Sequence, residues 1–362
     1  MKKVLIFPIL VLSFLISACS LSNLALNENS VDKVENLATF GKPIKNCLIS
    51  SSLDSALETR VVNGQTEYLL GSKNYESRNI QVWNLGTEKV IQTFNDINAD
   101  AVLFSSDQRT LITFSRYEPG TLTLWDIQSG NQQQKHTFEP NHYYDERISV
   151  SPDGSRIAFF LAPYNVEDFR VSEFNLQTKK SNNIEHDFPL FAETPPPHIY
   201  SPNGNLIAVT YDYDDKLHFL DLTNHNDTIL QFPFSNLNDV AVAEAIISTI
   251  AISSNEKYLV GGTLSGDIYL WNVIDGTLLK TIKAHITQRT DGWLGGVKLL
   301  EFSPKSNLLL SLGYDGFMKL WDATTGILLK EINSCPHFGG FTQDGRYLVT
   351  VGKKGIELWG IP

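Results

Sequence analysis

A short segment recurs seven times along this chain, and that recurrence constrains the fold more than any single residue does. Each copy closes a β-type run on an aromatic side chain: NIQVWNL at Trp83, TLTLWDI at Trp125, RVSEFNL at Phe174, KLHFLDL at Phe219, DIYLWNV at Trp271, FMKLWDA at Trp321 and GIELWGI at Trp359. The spacings are 42, 49, 45, 52, 50 and 38 residues. A turn signal precedes each aromatic by 14 to 20 residues: Asn63-Gly64, Ser106-Asp107-Gln108, and then tetrapeptides ending at Gly154, Gly204, Glu256, Ser306 and Gly345. Apolar runs flank these turns, such as TIAISSN and YLVGGT, and GTLLKTIKAH and GILLKEI add a further run beyond the aromatic. Four strands joined by tight turns, an antiparallel meander, account for each unit.

Composition agrees with many short strands. The 362 residues are 42% hydrophobic and 19% charged, enough for a sizeable core and too apolar for a disordered chain. Gly (24), Pro (15) and 11% aromatics beside only 2 Met favour strands and turns over a helical bundle. Lys and Arg total 29 against 40 Asp and Glu, a formal charge of −11, and no basic run interrupts that balance. A nucleic-acid partner is therefore not expected.

From residue 55 to 362 the pattern resembles the WD-repeat β-propeller family. The literal dipeptide stands at Trp125-Asp126 and Trp321-Asp322, while Trp83-Asn84, Trp271-Asn272 and Trp359-Gly360 depart from it and two repeats carry Phe174 and Phe219. The resemblance implies an all-β fold: a seven-bladed β-propeller of four-stranded antiparallel blades, occupying residues 44–362. It also implies a structural tetrad in the sixth repeat, in which His285, Ser311, Asp315 and Trp321 tie the loop entering the blade to its strands. Ser265 and Lys353 stand at the Asp position of the fifth and seventh repeats. The last repeat stops after its third strand, and in this family an N-terminal strand commonly completes the final blade. The segment between Val34 and Ser50 is the expected source, and closure removes an open sheet edge.

The N-terminus reads as an export address. Lys2 and Lys3 precede the apolar run Val4–Ile16, which ends in Ser17, Ala18 and Cys19. Ile16-Ser17-Ala18-Cys19 resembles the bacterial lipobox, which implies a signal peptide over 1–18 and Cys19 as the lipid-bearing mature N-terminus. Cleavage removes Lys2 and Lys3 and leaves a charge of −13. Residues 19–43 then read as a tether, and the acyl chains supply the membrane hold. In Gram-negative lipoproteins an Asp at the position of Ser20 resembles an inner-membrane retention signal, so its absence favours the outer membrane if the envelope is Gram-negative. Cys47 and Cys335 are either an exported disulfide or two isolated thiols.

Chemistry-bearing motifs are sparse. No His-Glu-x-x-His, Cys-x-x-Cys, Walker loop or Gly-x-Ser-x-Gly occurs. Asp212, Asp214 and Asp215 form an acidic loop without the ligand number or glycine of a calcium site. The positions expected to line a central channel, Leu103, Ser149, Ile199, Ala251, Glu301 and Gly340, contain one charge. No cofactor or metal is expected. Aromatic residues instead gather in the bc loops and da connections, which leave one face of a meander: Tyr117, Tyr143, Tyr144, Tyr164, Tyr213 and Trp293. The expected function is a lipid-anchored envelope scaffold that binds a protein or peptide through that face. The alternative is an envelope propeller enzyme, lactonase-like or a cofactor-dependent oxidase, acting at the channel mouth.

Overall fold

Alternation of apolar and polar residues sets the strands, as in Asn79–Asn84, where every second side chain is buried. The computed structural model describes residues 25–40, 55–62, 65–74, 79–97, 99–105, 109–116, 119–138, 142–163, 170–184, 197–210, 216–222, 227–231, 246–286, 296–333, 336–352 and 354–360. These form seven four-stranded antiparallel sheets, a seven-bladed propeller. Strands are lettered a to d outward from the channel.

Blade 1 comprises Ser55–Val62, Gln65–Asn74, Asn79–Asn84 and Lys89–Phe94. Blade 2 comprises Ala101–Phe104, Thr110–Ser115, Thr121–Asp126 and Gln132–Thr137. Blade 3 comprises His142–Val150, Arg156–Pro163, Arg170–Asn175 and Lys180–Ile184, and blade 4 His198–Tyr200, Leu206–Thr210, Lys216–Asp221 and Asp227–Gln231. Blade 5 comprises Ile247–Ile252, Tyr258–Thr263, Asp267–Asn272 and Leu278–Lys283, and blade 6 Val297–Phe302, Leu308–Gly313, Phe317–Asp322 and Ile327–Asn333. Blade 7 takes Pro336–Phe341, Leu348–Gly352 and Gly355–Gly360 from the C-terminal end of the chain, and its strand d is Glu35–Phe40. The closing strand runs antiparallel to strand c, from Glu35 opposite Gly360 to Phe40 opposite Ile356. It covers an edge that would otherwise present unpaired backbone groups.

The body begins earlier than the tether expected over 19–43. From Ala25 onward the chain is packed: Leu26, Val31 and Val34 are buried against Leu308, Leu310, Leu320, Leu348 and Trp359 of blades 6 and 7. Leu26 N–H donates to Gly345 O at 2.7 Å, and Glu28 Oε1 accepts from Asn307 N at 2.5 Å. Each such burial is worth about 1.5–3 kcal/mol, which outweighs the polar look of the intervening residues.

Blades are held by apolar wedges between neighbouring faces. Between blades 2 and 3 the rings of Phe114, Phe138, Phe159 and Phe174 meet at centroid distances from 4.9 to 6.4 Å. The ab turns repeat one device, in which a strand-ending hydroxyl bonds the carboxylate or amide two residues on, as in Ser151–Asp153, Ser201–Asn203, Ser253–Asn255 and Thr342–Asp344. The residue that follows is left-handed: Gly154, Gly204 and Gly345, but Glu256 in blade 5 at φ 57°. Glu256 offsets that strain by accepting from Asn203 N and Nδ2 of blade 4 at 2.7 and 2.8 Å.

The aromatic at the end of strand c also shapes strand d. Opposite Trp83, Trp125, Trp271, Trp321 and Trp359 the register skips one residue of strand d, at Ile91, Gln133, Leu279, Leu329 and Leu37 respectively. Opposite Phe174 and Phe219 the pairing is continuous. A bulge bends the outer strand and raises its twist, and it accompanies the indole rather than the smaller phenyl ring.

Candidate functional site

The bc loops and da connections leave one face of the propeller, and the ab and cd turns leave the other. Among the described strands, strand b of blade 3 runs furthest towards the bc/da face. It extends six residues beyond Ile157, the partner of Phe174, against four beyond the partners of the tryptophans in blades 1, 2, 5, 6 and 7. Tyr143 and Tyr144 belong to this extension, paired with Ala162 and Leu161 above a bulge that ends at Ile148. The other four aromatics expected to bind a partner, Tyr117, Tyr164, Tyr213 and Trp293, lie outside the described residues. So do Cys19, Cys47, Cys335 and the Asp212, Asp214 and Asp215 loop.

Blade 6 brings His285, Ser311, Asp315 and Trp321 into one continuous chain. Trp321 Nε1–H donates to Ser311 Oγ at 2.8 Å, and Ser311 Oγ lies 2.8 Å from His285 Nε2. His285 Nδ1 is 3.1 Å from both Asp315 oxygens. His285 Nδ1–H donates to Asp315, and its Nε2 shares a hydrogen bond with the Ser311 hydroxyl. Asp315 also accepts from Ile286 N at 3.2 Å and Phe317 N at 3.1 Å, so it joins the entering loop to strand c. Burial raises the Asp315 carboxyl, but the His285 hydrogen bond and charge outweigh it, and the group sits below its ordinary value. A nucleophile must be open to a substrate, whereas Ser311, lying between Trp321 and His285, is fully buried.

Sequence reasoning missed Gly313 as a member of this arrangement. A Cβ there would stand 2.1 Å from His285 Nδ1 and 2.4 Å from Asp315 Oδ1, so only glycine leaves room for the pair. It also missed the surviving halves of the tetrad elsewhere. Trp125 Nε1 donates to Thr113 Oγ1 at 2.9 Å and Trp359 Nε1 to Thr350 Oγ1 at 3.0 Å.

At the channel, polar side chains on strand a reach sideways to the next blade. Ser149 Oγ accepts from Tyr200 N at 3.1 Å, and Glu301 Oε1 accepts from Phe341 N at 3.0 Å. Burial pushes the Glu301 carboxyl up to about 8, against the opposing pull of the Phe341 N–H. Leu103, Ile199, Ala251 and Gly340 at the matching positions offer it no acid–base partner. Among the described residues no group of three or more His, Cys, Asp or Glu is placed to hold a metal ion. No helix among them is long and apolar enough to cross a membrane.

The family "WD domain, G-beta repeat" matches residues 276–322. That span holds all four members of the blade 6 tetrad. The chain is similar to COMPASS component SWD3 of Saccharomyces cerevisiae, 25% identical over 223 residues, which cover 58% of this chain and 62% of the relative. It is similar to apoptotic protease-activating factor 1 of Homo sapiens, 26% identical over 274 residues, 70% of this chain and 19% of the relative. Protein ROOT INITIATION DEFECTIVE 3 of Arabidopsis thaliana is 40% identical over 75 residues, 21% of this chain and 15% of the relative. The chain thus spans less than two thirds of the length of each of these curated relatives.

Proposed function

We infer that this chain, a WD-repeat β-propeller, serves as a protein-interaction scaffold that is lipid-anchored at Cys19 and engages a protein or peptide through its bc/da face. The observation that carries this reading is the extended hairpin of blade 3, which carries the Tyr143 and Tyr144 positions beyond the described strands of the neighbouring blades on the bc/da face. The polar residues of the tetrad and channel are engaged in joining blades, which supports binding by the loops over chemistry in the interior. The yeast relative is by name a component of an assembly, consistent with a scaffold. The alternative, an envelope enzyme at the channel mouth, has one carboxyl to work with at the described channel positions, Glu301.

Replacing Tyr143, Tyr144 and Trp293 with Ala tests the face. Crosslinked capture of the native partner should be lost while the melting temperature is kept, and capture undiminished in the folded triple variant would move the site elsewhere. Mass spectrometry of the mature protein tests the anchor. A diacylated Cys19 is expected, and a free N-terminus at another residue would remove the envelope part of the reading.

A further inference from the structure

Blade 2 carries a groove that blade 6 lacks, although both retain a hydroxyl-bonded tryptophan. In blade 6 the outer half of the tetrad face is filled. Phe317 pairs with Asn333 and Lys319 with Glu331, and Lys319 Nζ reaches Ala284 O at 2.7 Å and Glu331 Oε2 at 3.1 Å while lying 5.8 Å from the Phe317 ring centroid. Register puts Thr121 and Thr137 at the places of Phe317 and Asn333, Thr123 and Lys135 at those of Lys319 and Glu331, and Ile97 at that of His285. Shorter side chains at the Phe317 and Lys319 positions leave a groove of about 460 Å³ between blades 1 and 2, with its rim at Asn95, Asp96 and Pro119 on the bc/da face.

We propose that this groove binds a neutral saccharide. Its floor is a grid of hydroxyls: Ser115 opposes Thr121, which opposes Thr137, and one step along the strands Thr113 opposes Thr123. Strand spacing sets such side chains about 5 Å apart across the sheet. The hydroxyls of Ser115, Thr121, Thr123 and Thr137 make no hydrogen bond among the described residues, so both donor and acceptor capacity face the groove. Trp125 spends its indole N–H on Thr113, and Phe94 meets it edge-on at 5.8 Å. What the indole adds to the groove is therefore apolar ring surface. Asp96 and Lys135 are the two charged side chains of the lining and cancel, which selects against an anion or a cation.

Dense hydroxyls, one aromatic ring and no net charge match a ligand with many hydroxyls and an apolar ring face. The volume lies within the range of small-ligand sites, whose walls are ordinarily apolar. A peptide fits less well, because one paired to the outer edge of Gln132–Thr137 would lie beside the hydroxyl grid and not on it.

The test uses the purified full-length protein with maltotriose, cellotriose and triacetylchitotriose, read by calorimetry and tryptophan fluorescence. At least one should bind saturably, with Kd in the range of about 10 μM to 1 mM. Thr121→Phe with Thr123→Lys restores the blade 6 filling and should weaken binding tenfold or more at unchanged melting temperature. Should that variant fail to fold, Thr123→Val keeps the shape, deletes one hydroxyl and should weaken binding about threefold or more. No binding of any of the three sugars at about 10 mM, or equal binding by the folded variants, overturns the proposal. Saturable binding of acetylated tetra-alanine that displaces the sugars assigns the groove to peptide and overturns it equally.

Discussion

Removing the carboxylate of Asp315 isolates the contribution of the blade 6 hydrogen-bond chain. In Asp315→Ala the His285 side chain, wholly without solvent exposure, loses the acceptor for its Nδ1–H. The N–H of exposed Ile286 turns to water at little cost, whereas that of Phe317 is only part-exposed. One fully buried orphan donor costs about 1–3 kcal/mol and a half-buried one a fraction of that, so about 2–3 kcal/mol is expected in all. Thermal unfolding followed by circular dichroism should show a fall of about 3–6 °C for a chain of this size. Ser311→Ala strands both Trp321 Nε1 and His285 Nε2, and because His285 is shared, the double variant should lose less than the two single losses combined. The folded Asp315 carboxyl lies below its unfolded value, so its stabilisation is complete above the ordinary 3.8 and disappears as pH falls through the folded value. The variant should therefore differ most from the wild type above pH 4 or so and converge with it in acid. An unchanged melting temperature, strict additivity with Ser311→Ala, or a gap that widens in acid would refute the chain as a stabilising unit.

The Glu301 carboxyl is raised from 4.5 to about 8, so its charge destabilises the fold progressively as pH rises between those values. Glu301→Gln keeps an acceptor for Phe341 N and should raise stability at pH 8 by about 1–3 kcal/mol, read by urea unfolding at pH 5 and 8, with little change at pH 5. Gly313→Ala drives a methyl into the His285–Asp315 pair and should cost at least as much as Asp315→Ala, measured by the same melt. Deleting residues 19–40 removes the closing strand and the burial of Leu26, Val31 and Val34, and size-exclusion chromatography should show aggregation through the exposed edge at Gly355–Gly360.

The meander was legible because each strand c ends on an aromatic at a near-constant interval, and the family tetrad could be read from residue types at fixed separations. Outer strands were harder to read. Gln132–Thr137, QQQKHT, is almost wholly exposed, so no apolar alternation marks it. The early start of the body rests on Leu26, Val31 and Val34, three burials too widely spaced to show a period. The bulges opposite the five tryptophans require cross-strand register, although once seen they are foretold by Trp against Phe at one position. The groove was invisible for a related reason. Its threonines read as ordinary strand formers, and only alignment with Phe317 and Lys319 across the ring shows that something large is missing.

The entry of the chain at Ala25 carries a consequence for orientation. Leu26 and Glu28 are fastened to the ab turns of blades 7 and 6, at Gly345 and Asn307, so the chain joins the disc from its ab/cd side, over the inner half of those two blades. From Cys19 to that point six residues reach at most about 20 Å. An acyl anchor on Cys19 would thus act as a short leash fixed off-centre, drawing the ab/cd side down onto the bilayer. Ile274 and Ile327, 80% and 59% exposed at the cd turns of blades 5 and 6, lie on that same underside as apolar feet. The disc would lie flat and not stand on edge, with the blade 3 hairpin and the mouth of the blade 2 groove facing the aqueous compartment like the open side of a dish.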